Sequence, residues 1–392
     1  MNPHFSKPET FLRWVLFRVI HPGLRRLPRL GRRRRILLLC NGTQLVDYLS
    51  DVWELINDDQ DLVFCLYLVH GDTRPGEVAR AAQVLPVRRI DKVELYLTHW
   101  DLVMVADHVH AGTGLTYVNG FSWPTLFTNH GIPSGLVDGE CYEYGKGCYD
   151  EKGRIRYTRI LAASEADRRV ALAMDPGLSE KVLVVGSLKG DRLVEMARTR
   201  DEIRHRLGIG RGEVLVLITS TYGPHCLFNM MGDALLVEIR RLSHLFRFAL
   251  TIHPMEYRSP ATGTRSWGDR LSDLRREGFL VADPGERWEP YLVASDVIVA
   301  DHTSLALYGM ALRRPYVYAP IPEALVGKST LTRRLLGISP TLRPDASNLR
   351  ESLVQALKEY PLEMLAELDQ QLNSFPGEAK ARVRQAVYEL LN

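Results

Sequence analysis

The 392-residue chain lacks most of the features that would assign it to a protein class directly. No apolar run approaches 18 residues, so we expect no transmembrane helix. The formal net charge is only +3, which argues against a nucleic acid as partner. The five cysteines lack metal-ligand spacing and indicate a reducing, cytoplasmic compartment. Cys40 and Cys65 lie in apolar runs, and we expect buried thiols there.

Phosphate-loop and metal-site motifs are also missing. The glycines at 208, 210 and 212 precede a predicted strand, whereas a dinucleotide or P-loop motif must follow one. His108 and His110 have strand spacing, but no further histidine or cysteine pattern accompanies them, so we interpret them as exposed histidines. No acidic cluster has metal spacing. The sequence therefore names no metal ligand and leaves open whether a divalent ion takes part.

The first 35 residues are basic and amphipathic. Residues 11–20 are apolar with interspersed arginines, and an arginine-rich stretch up to residue 35 follows. No small-residue cleavage site follows them, which argues against a secretory signal. Such a composition suits a segment that lies on an anionic membrane surface. A packed helix followed by a solvated basic linker is the alternative.

Short apolar runs that alternate with helical patterns fill the rest of the chain. The predicted strands are residues 36–40, 62–69, 102–106, 127–128, 160–163 and 182–185, then 214–218, 248–252, 279–281, 297–300 and 316–318, while 93–98 is ambiguous. This alternation predicts parallel sheets with helices on both faces. Because the pattern occurs twice, we predict an α/β fold of two Rossmann-like doubly wound domains facing across a cleft. They would span residues 36–186 and 187–375, with residues 376–392 as a C-terminal helix.

One candidate site follows the predicted strand at residues 297–300. We predict Asp301 as the N-cap of a helix over residues 305–312, with Thr303 and Ser304 in its first turn. The backbone N–H groups there have no helical partner, so together with the two hydroxyls they could bind a phosphate. An ordinary capped helix would explain the same residues.

Other polar residues follow neighbouring strands and would face the same cleft. His130 comes directly after residues 127–128 and could accept a proton from an attacking hydroxyl, and Gly131 would allow a substrate to approach closely. His253 ends another predicted strand and could bind a phosphate. Ser220 and Thr221 follow the run at residues 214–218. Each of these residues also has a purely structural interpretation.

Taken in order, these motifs resemble those of the CDP-glycerol glycerophosphotransferases of teichoic acid synthesis. The resemblance rests on four short motifs between residues 127 and 318: His130-Gly131 with Pro133, Ser220-Thr221, His253-Pro254, and Asp301 with Thr303-Ser304. It implies a GT-B-like fold, with His130 as the catalytic histidine, His253 as a second histidine that contacts the donor phosphate, and Thr303 and Ser304 as the hydroxyl pair that holds the pyrophosphate. Two departures stand out. The Ser220-Thr221 turn lacks the family's arginine, and His302 stands where the family usually has tyrosine or a similar residue.

The resemblance also implies a reaction and a location. An acceptor hydroxyl, with His130 as general base, would attack the distal phosphorus of a CDP-activated alcohol and release CMP. The acceptor would be lipid-linked or polymeric, and the protein would be peripheral at the inner face of the cell membrane, bound through residues 1–35. Two alternatives stay open: a GT-B glycosyltransferase that uses a nucleotide sugar, and a non-catalytic scaffold that binds a nucleotide or polyanion.

Overall fold

The computed structural model describes residues 33–42, 45–69, 75–106, 123–128, 136–137, 140–141, 144–150, 153–258, 266–283, 286–322, 326 and 331–392. The predictions for residues 1–32, His108, His110, His130 and Gly131 lie outside these described residues.

The first half is built on a seven-stranded parallel sheet. The strands of this half are β1 Arg34–Cys40, β2 Leu62–Leu68, β3 Arg88–Arg89, β4 Leu102–Val105, β5 Thr125–Thr128, β6 Leu136–Val137, β7 Glu140–Cys141, β8 Arg159–Ala162 and β9 Val182–Val184. The sheet order is β3-β2-β1-β4-β5-β8-β9, and β6 and β7 form a separate antiparallel pair. The central strands are continuous apolar runs because helices cover both faces of the sheet; Ile36, Leu37 and Leu38 are all fully buried.

The second half repeats this architecture with five parallel strands. They are β10 Leu215–Ser220, β11 Arg247–Ile252, β12 Leu280–Val281, β13 Val297–Ala300 and β14 Tyr316–Tyr318, in the order β12-β11-β10-β13-β14. Ser220 pairs with Ile252, and Thr219 pairs with Ala300, so the carboxyl ends of β10, β11 and β13 are level. The strand order reverses between β10 and β13, and ligands of open α/β sheets bind beside such a switch point.

Helices connect the strands and cover the sheets. They are α1 Val46–Trp53, α2 Pro75–Val84, α3 Lys92–Leu97, α4 Glu165–Met174, α5 Leu188–Ala197, α6 Arg200–Arg206, α7 Leu227–Leu242, α8 Pro254–Arg258, α9 Trp267–Arg276, α10 Glu289–Ala294, α11 Ser304–Leu307, α12 Leu331–Ile338, α13 Leu349–Glu359, α14 Leu362–Leu372 and α15 Ala379–Leu391. Within the described ranges, no helix combines the length and the apolar character needed to cross a membrane.

Helices α5 and α15 both join the two halves. Helix α5 follows β9 and leads into the second half. Helix α15 returns to the first half, where Val383 and Val387 enter its apolar core. The Tyr388 hydroxyl donates to Asp59 at 2.7 Å, and the Arg384 guanidinium donates to the Leu55 carbonyl at 2.6 Å. The C-terminal helix therefore closes the chain onto the half from which it is most distant in sequence.

All eleven predicted strands are present, within two residues of their expected bounds. The ambiguous run at residues 93–98 belongs to helix α3, whose N-cap Asp91 accepts a hydrogen bond from the Glu94 backbone N–H at 2.8 Å. Ser220 is the last residue of β10, because that strand continues two residues beyond its predicted end. Cys40 and Cys65 are buried, as predicted.

Candidate functional site

The candidate site lies at the carboxyl edge of the second sheet. The structure brings together the end of β10 with Ser220 and Thr221, the residue after β11, His253, and the turn from Asp301 to Ser304 after β13. The hydrogen bond from the His253 backbone N–H to the Ser220 carbonyl, at 3.0 Å, joins two of these segments. In the first half, β5 ends at Thr128, which places the strand end just before His130 at the corresponding edge of the other sheet.

Asp301 is the structural centre of this edge. It is fully buried, and its carboxylate accepts hydrogen bonds from the Ser220 hydroxyl at 2.8 Å and from the backbone N–H groups of Thr221, Leu227 and Thr303 at 3.0, 2.7 and 2.9 Å. Burial raises the pKa of the Asp301 carboxyl, while His302 and these hydrogen bonds act in the opposite direction. One carboxylate thus fixes the end of β10, the start of α7 and its own turn.

The prediction of Asp301 as a helix N-cap is wrong. The N-cap of α11 is Thr303, whose hydroxyl accepts from the Leu305 backbone N–H at 3.4 Å. The helix predicted over residues 305–312 is α11 followed by a 3₁₀ turn, Tyr308–Leu312. Asp301 points into the protein instead because the end of β10, the start of α7 and its own turn supply the donors that its oxygens need. Its place in the structure favours a positioning role over direct contact with a phosphate.

Ser304 is the residue of this turn that is best placed for a ligand. As the first residue of α11 its backbone N–H has no partner within the helix. Its hydroxyl forms no hydrogen bond with the residues that the structure describes, and its side chain is half-buried. Thr303 is 9% exposed and already uses its hydroxyl in capping, so we assign it the smaller part of any phosphate contact.

His253 is oriented by its own turn. Its Nδ1 accepts a hydrogen bond from the Met255 backbone N–H at 3.2 Å, which leaves the ring proton of a neutral imidazole on Nε2. The Tyr222 ring packs on the imidazole with 4.6 Å between ring centroids, and Tyr222 is 50% exposed. The imidazole therefore offers a donor beside an exposed aromatic face, a surface suited to a nucleotide.

In the sequence, His302 stands out only as a departure from the family motif. In the structure its Nδ1 is buried and without a hydrogen-bond partner. Burial lowers the pKa of His302, and the neighbouring His225 lowers it further, although Asp301 opposes both. The imidazole is therefore neutral near pH 7. Its place in the motif was the only sequence signal for it.

A second buried carboxylate, which the sequence analysis missed, holds the loop after β10. Glu256 is 6% exposed and accepts from the Gly223 backbone N–H at 3.0 Å and from the Asn229 amide at 2.8 Å. Asn229 in turn accepts from the Trp267 indole N–H at 2.7 Å. Since Glu256 lies three residues after His253, the cluster ties the His253 turn to the loop that carries Thr221. A buried carboxylate beside a candidate histidine is not visible in the sequence pattern.

The described residues at this edge include neither a reactive thiol nor a cluster of metal ligands. Burial raises the pKa of the Cys226 thiol to about 11, so it is not a nucleophile at neutral pH. Within the described part of the chain, no three histidine, cysteine or acidic side chains converge as metal ligands. The edge presents hydroxyl groups, amides and imidazoles. Such an arrangement can bind an oxyanion and stabilise charge on it.

The comparisons with known proteins bear on the fold. No protein-family model and no curated protein sequence matches the chain. Among solved structures, the wall teichoic acid polymerase TagF is similar over 98% of this chain and 97% of its own, with a TM-score of 0.66 and 14% sequence identity. A TagF variant soaked with CDPG is similar over 98% of both chains, with a TM-score of 0.64 and 14% identity.

A third similar structure is UDP-GlcNAc 2-epimerase from Neisseria meningitidis bound to UDP-GlcNAc. It has a TM-score of 0.55 and 14% identity, over 91% of this chain and 100% of the epimerase. At these identities the likeness establishes the fold. The predicted α/β fold of two facing Rossmann-like domains, GT-B-like in arrangement, is therefore confirmed.

Proposed function

We propose that the chain is a transferase that moves a phospho-alcohol group from a CDP-activated donor, such as CDP-glycerol, to an acceptor hydroxyl and releases CMP. The observation that carries this proposal is the edge built on Asp301, where Ser304, Thr221 and His253 are held around a switch point. The similarity in fold to TagF, including a form soaked with CDPG, favours a cytidine nucleotide as the donor's leaving group.

The donor's diphosphate would lie against the turn after β13. Ser304 would donate its hydroxyl and backbone N–H to one phosphate, and His253 would donate from Nε2 to the other. Tyr222 would cover part of the nucleotide. Asp301 would not touch the donor; it would hold Thr221 and Thr303 in place. Gly131, in the facing domain, would let the substrate approach closely.

In the reaction, the oxygen of the acceptor hydroxyl would form a bond to the distal phosphorus, and the bond from that phosphorus to the bridging oxygen would break. CMP would leave with the bonding electrons, and His130 would take the proton of the acceptor. Positioning and charge stabilisation carry most of the catalysis in such transfers. We assign His130 the role of general base from its place directly after β5 and from the family resemblance.

The acceptor and the membrane association are parts of the same proposal. A lipid-linked or polymeric acceptor of the cell envelope would explain the basic, amphipathic composition of residues 1–35, which would hold the protein at the inner face of the membrane. A liposome flotation assay with and without anionic lipid would test this part separately. Flotation that does not depend on anionic lipid would contradict it.

A nucleotide panel tests the donor assignment. We expect CDP-glycerol, CDP-ribitol and CMP to raise the melting temperature more than UDP- or GDP-sugars do, since a ligand at about a hundred times its Kd stabilises the fold by about 2.7 kcal/mol. Preference for a uridine sugar would favour the second candidate, a nucleotide-sugar glycosyltransferase, which the likeness to the UDP-GlcNAc-bound epimerase supports.

A substitution tests the role of the proposed base. His130→Ala should abolish CMP release while nucleotide binding persists. Near-normal turnover of that variant would contradict the role of His130.

A further inference from the structure

A cavity at the base of the cleft is not used by the proposed diphosphate site. The side chains that matter for its chemistry are Tyr48, Asp51, Thr128, Asp167, Lys189 and Tyr308. It offers about 80 Å³ to the centres of water-sized groups. Since one water needs roughly 10–15 Å³ on this scale, the cavity has room for roughly five to eight such groups.

The walls of the cavity come from both halves of the chain. Thr128, at the end of β5, precedes His130 by two positions, and Tyr308, in the second half, follows Ser304 by four. The residues at the ends of β8 and β9 complete the wall in the first half. A group bound here would therefore contact both halves of the chain.

Lys189 supplies a buried cationic donor to this cavity. It is 5% exposed, and its ammonium lies 3.0 Å from Asp51 of α1 and 2.9 Å from Glu289 of α10. Burial alone would lower the pKa of Lys189, but the two carboxylates raise it, so the ammonium stays charged. An ammonium has three N–H donors, and these two contacts leave one for a ligand oxygen.

Tyr308 supplies a second donor from the opposite half. Its ring packs against Trp288, and its hydroxyl forms no hydrogen bond with the described residues. Burial raises the pKa of Tyr308, and Tyr48, Asp51 and Asp167 lie near enough to contribute, while Lys189 opposes them. The Tyr308 hydroxyl therefore stays protonated and points toward side chains of the first half.

The charges around the cavity select against an anion. Of the lining side chains, Asp51 and Asp167 carry negative charge and Lys189 carries positive charge, which gives a net charge of −1. Asp47, one turn before Asp51 on α1, adds a further carboxyl, and burial raises its pKa to about 6. A hydroxyl group suits these walls better than a phosphate, because it donates to a carboxylate and accepts from an ammonium or a phenol.

We propose that this cavity binds the polyhydric-alcohol end of a substrate, with Lys189 and Tyr308 donating to its hydroxyl groups and Asp51 accepting from them. The room available corresponds to roughly three or four carbons at the end of a polyol chain, together with their hydroxyl groups. The alcohol comes either from the group that the donor transfers or from the terminal unit of the acceptor. This inference rests on the proposed function for the identity of the two substrates, but the binding itself does not.

Binding is tested first without turnover, by saturation-transfer NMR with free glycerol and ribitol. Ala163→Met places a longer side chain in the cavity, and Ala173→Met makes the same change at an exposed position of α4. We expect polyol signals with the wild type and with Ala173→Met, and their loss with Ala163→Met. Tyr308→Phe keeps the ring and removes one donor, so it should weaken polyol binding by roughly 3- to 10-fold. If Ala163→Met does not fold, the Tyr308→Phe result alone decides whether the cavity binds a polyol. No signal with the wild type, or equal signals with all variants, would overturn the inference.

Steady-state kinetics with CDP-glycerol then identify the source of the alcohol. A rise in the donor KM of Tyr308→Phe and Ala163→Met, with the acceptor KM unchanged, assigns the cavity to the transferred group. A rise in the acceptor KM alone assigns it to the acceptor end. Unchanged KM values for both substrates would overturn the inference. If the wild type releases no CMP, the proposed function fails, while the NMR result still decides whether the cavity binds a polyol.

Discussion

The molecule has two buried charged centres that are built in opposite ways. Asp301 is surrounded by N–H and O–H donors that all belong to the second half of the chain. Lys189 is held by carboxylates from two different halves, Asp51 of α1 and Glu289 of α10. Both side chains are at most 5% exposed, so in each case the surroundings must replace the lost hydration.

The two centres therefore have different structural roles. The donors to Asp301 are mostly backbone N–H groups, whose positions the sheet itself sets, so this centre fixes the geometry of one binding edge. The ion network around Lys189 depends on where the two halves lie relative to each other, and buried ion pairs stabilise only when their geometry is good. We therefore expect Asp301 to determine whether the carboxyl edge of the second sheet keeps its shape. We expect Lys189 to determine how the carboxyl edges of the two sheets face each other.

Removal of Asp301 should have the largest effect. Asp301→Ala leaves three backbone N–H groups and one hydroxyl without their acceptor, and we expect a loss of about 4 kcal/mol in the free energy of unfolding. Urea unfolding measures this, with the exposed Asp201→Ala as a control that should change stability by less than about 0.5 kcal/mol. A loss below about 1 kcal/mol would show that the edge does not depend on this carboxylate.

Lys189→Met should come next, with a loss of about 3 kcal/mol, because Glu289 stays buried without its counter-ion and Asp51 keeps only its ion pair with Arg192. Combining it with Glu289→Gln should recover part of the loss, since one unpaired charge is removed. No second single substitution should rescue Asp301→Ala in this way, because its partners are backbone groups. Equal unfolding free energies for Lys189→Met and the double variant would contradict the ionic account.

Two serines at the same edge separate stability from binding. Ser220→Ala removes a hydrogen bond to a buried charged group and should cost about 1.5–3 kcal/mol of stability. Ser304→Ala should leave stability within about 0.5 kcal/mol of the wild type, but weaken cytidine diphosphate binding by roughly 3- to 10-fold. Urea unfolding and titration calorimetry on both variants measure the two effects. The reverse pattern would place the ligand elsewhere.

The smallest effect should be a pH dependence carried by Asp47. Burial raises its pKa in the folded protein from 3.8 to about 6, so its contribution to stability is present below pH 4 and is lost as the pH rises through about 6. Between pH 5 and pH 7 the wild type should lose roughly 1 kcal/mol relative to Asp47→Asn. Urea unfolding of both proteins across this pH range measures the loss. A difference in unfolding free energy that stays constant with pH would contradict the raised pKa of Asp47.

The fold could be predicted from the sequence because its signal is local. Apolar runs and the polar residues that follow them indicated nearly every strand. The run at residues 93–98 was ambiguous, although Asp91 and Glu94 have the spacing of an N-terminal cap for helix α3. Short apolar runs do not by themselves distinguish a buried strand from a buried helix.

The candidate site could be predicted only in part. Ser220, His253 and Ser304 were found because each lies at the carboxyl end of a strand or within the turn that follows it. The inward orientation of Asp301 could not be predicted, because its partners Thr221 and Leu227 are 80 and 74 positions away in sequence. For the same reason, Lys189 was one basic residue among many in the connector. Its partner Glu289 is 100 positions away, and only the folded chain brings them together.

A structure of the protein with CDP-glycerol would test the central claim most directly. The account predicts diphosphate oxygen atoms within about 2.7–3.2 Å of the Ser304 hydroxyl and His253 Nε2, with the Asp301 hydrogen bonds unchanged. A diphosphate bound away from β13, or direct contact of a phosphate with the Asp301 carboxylate, would contradict it.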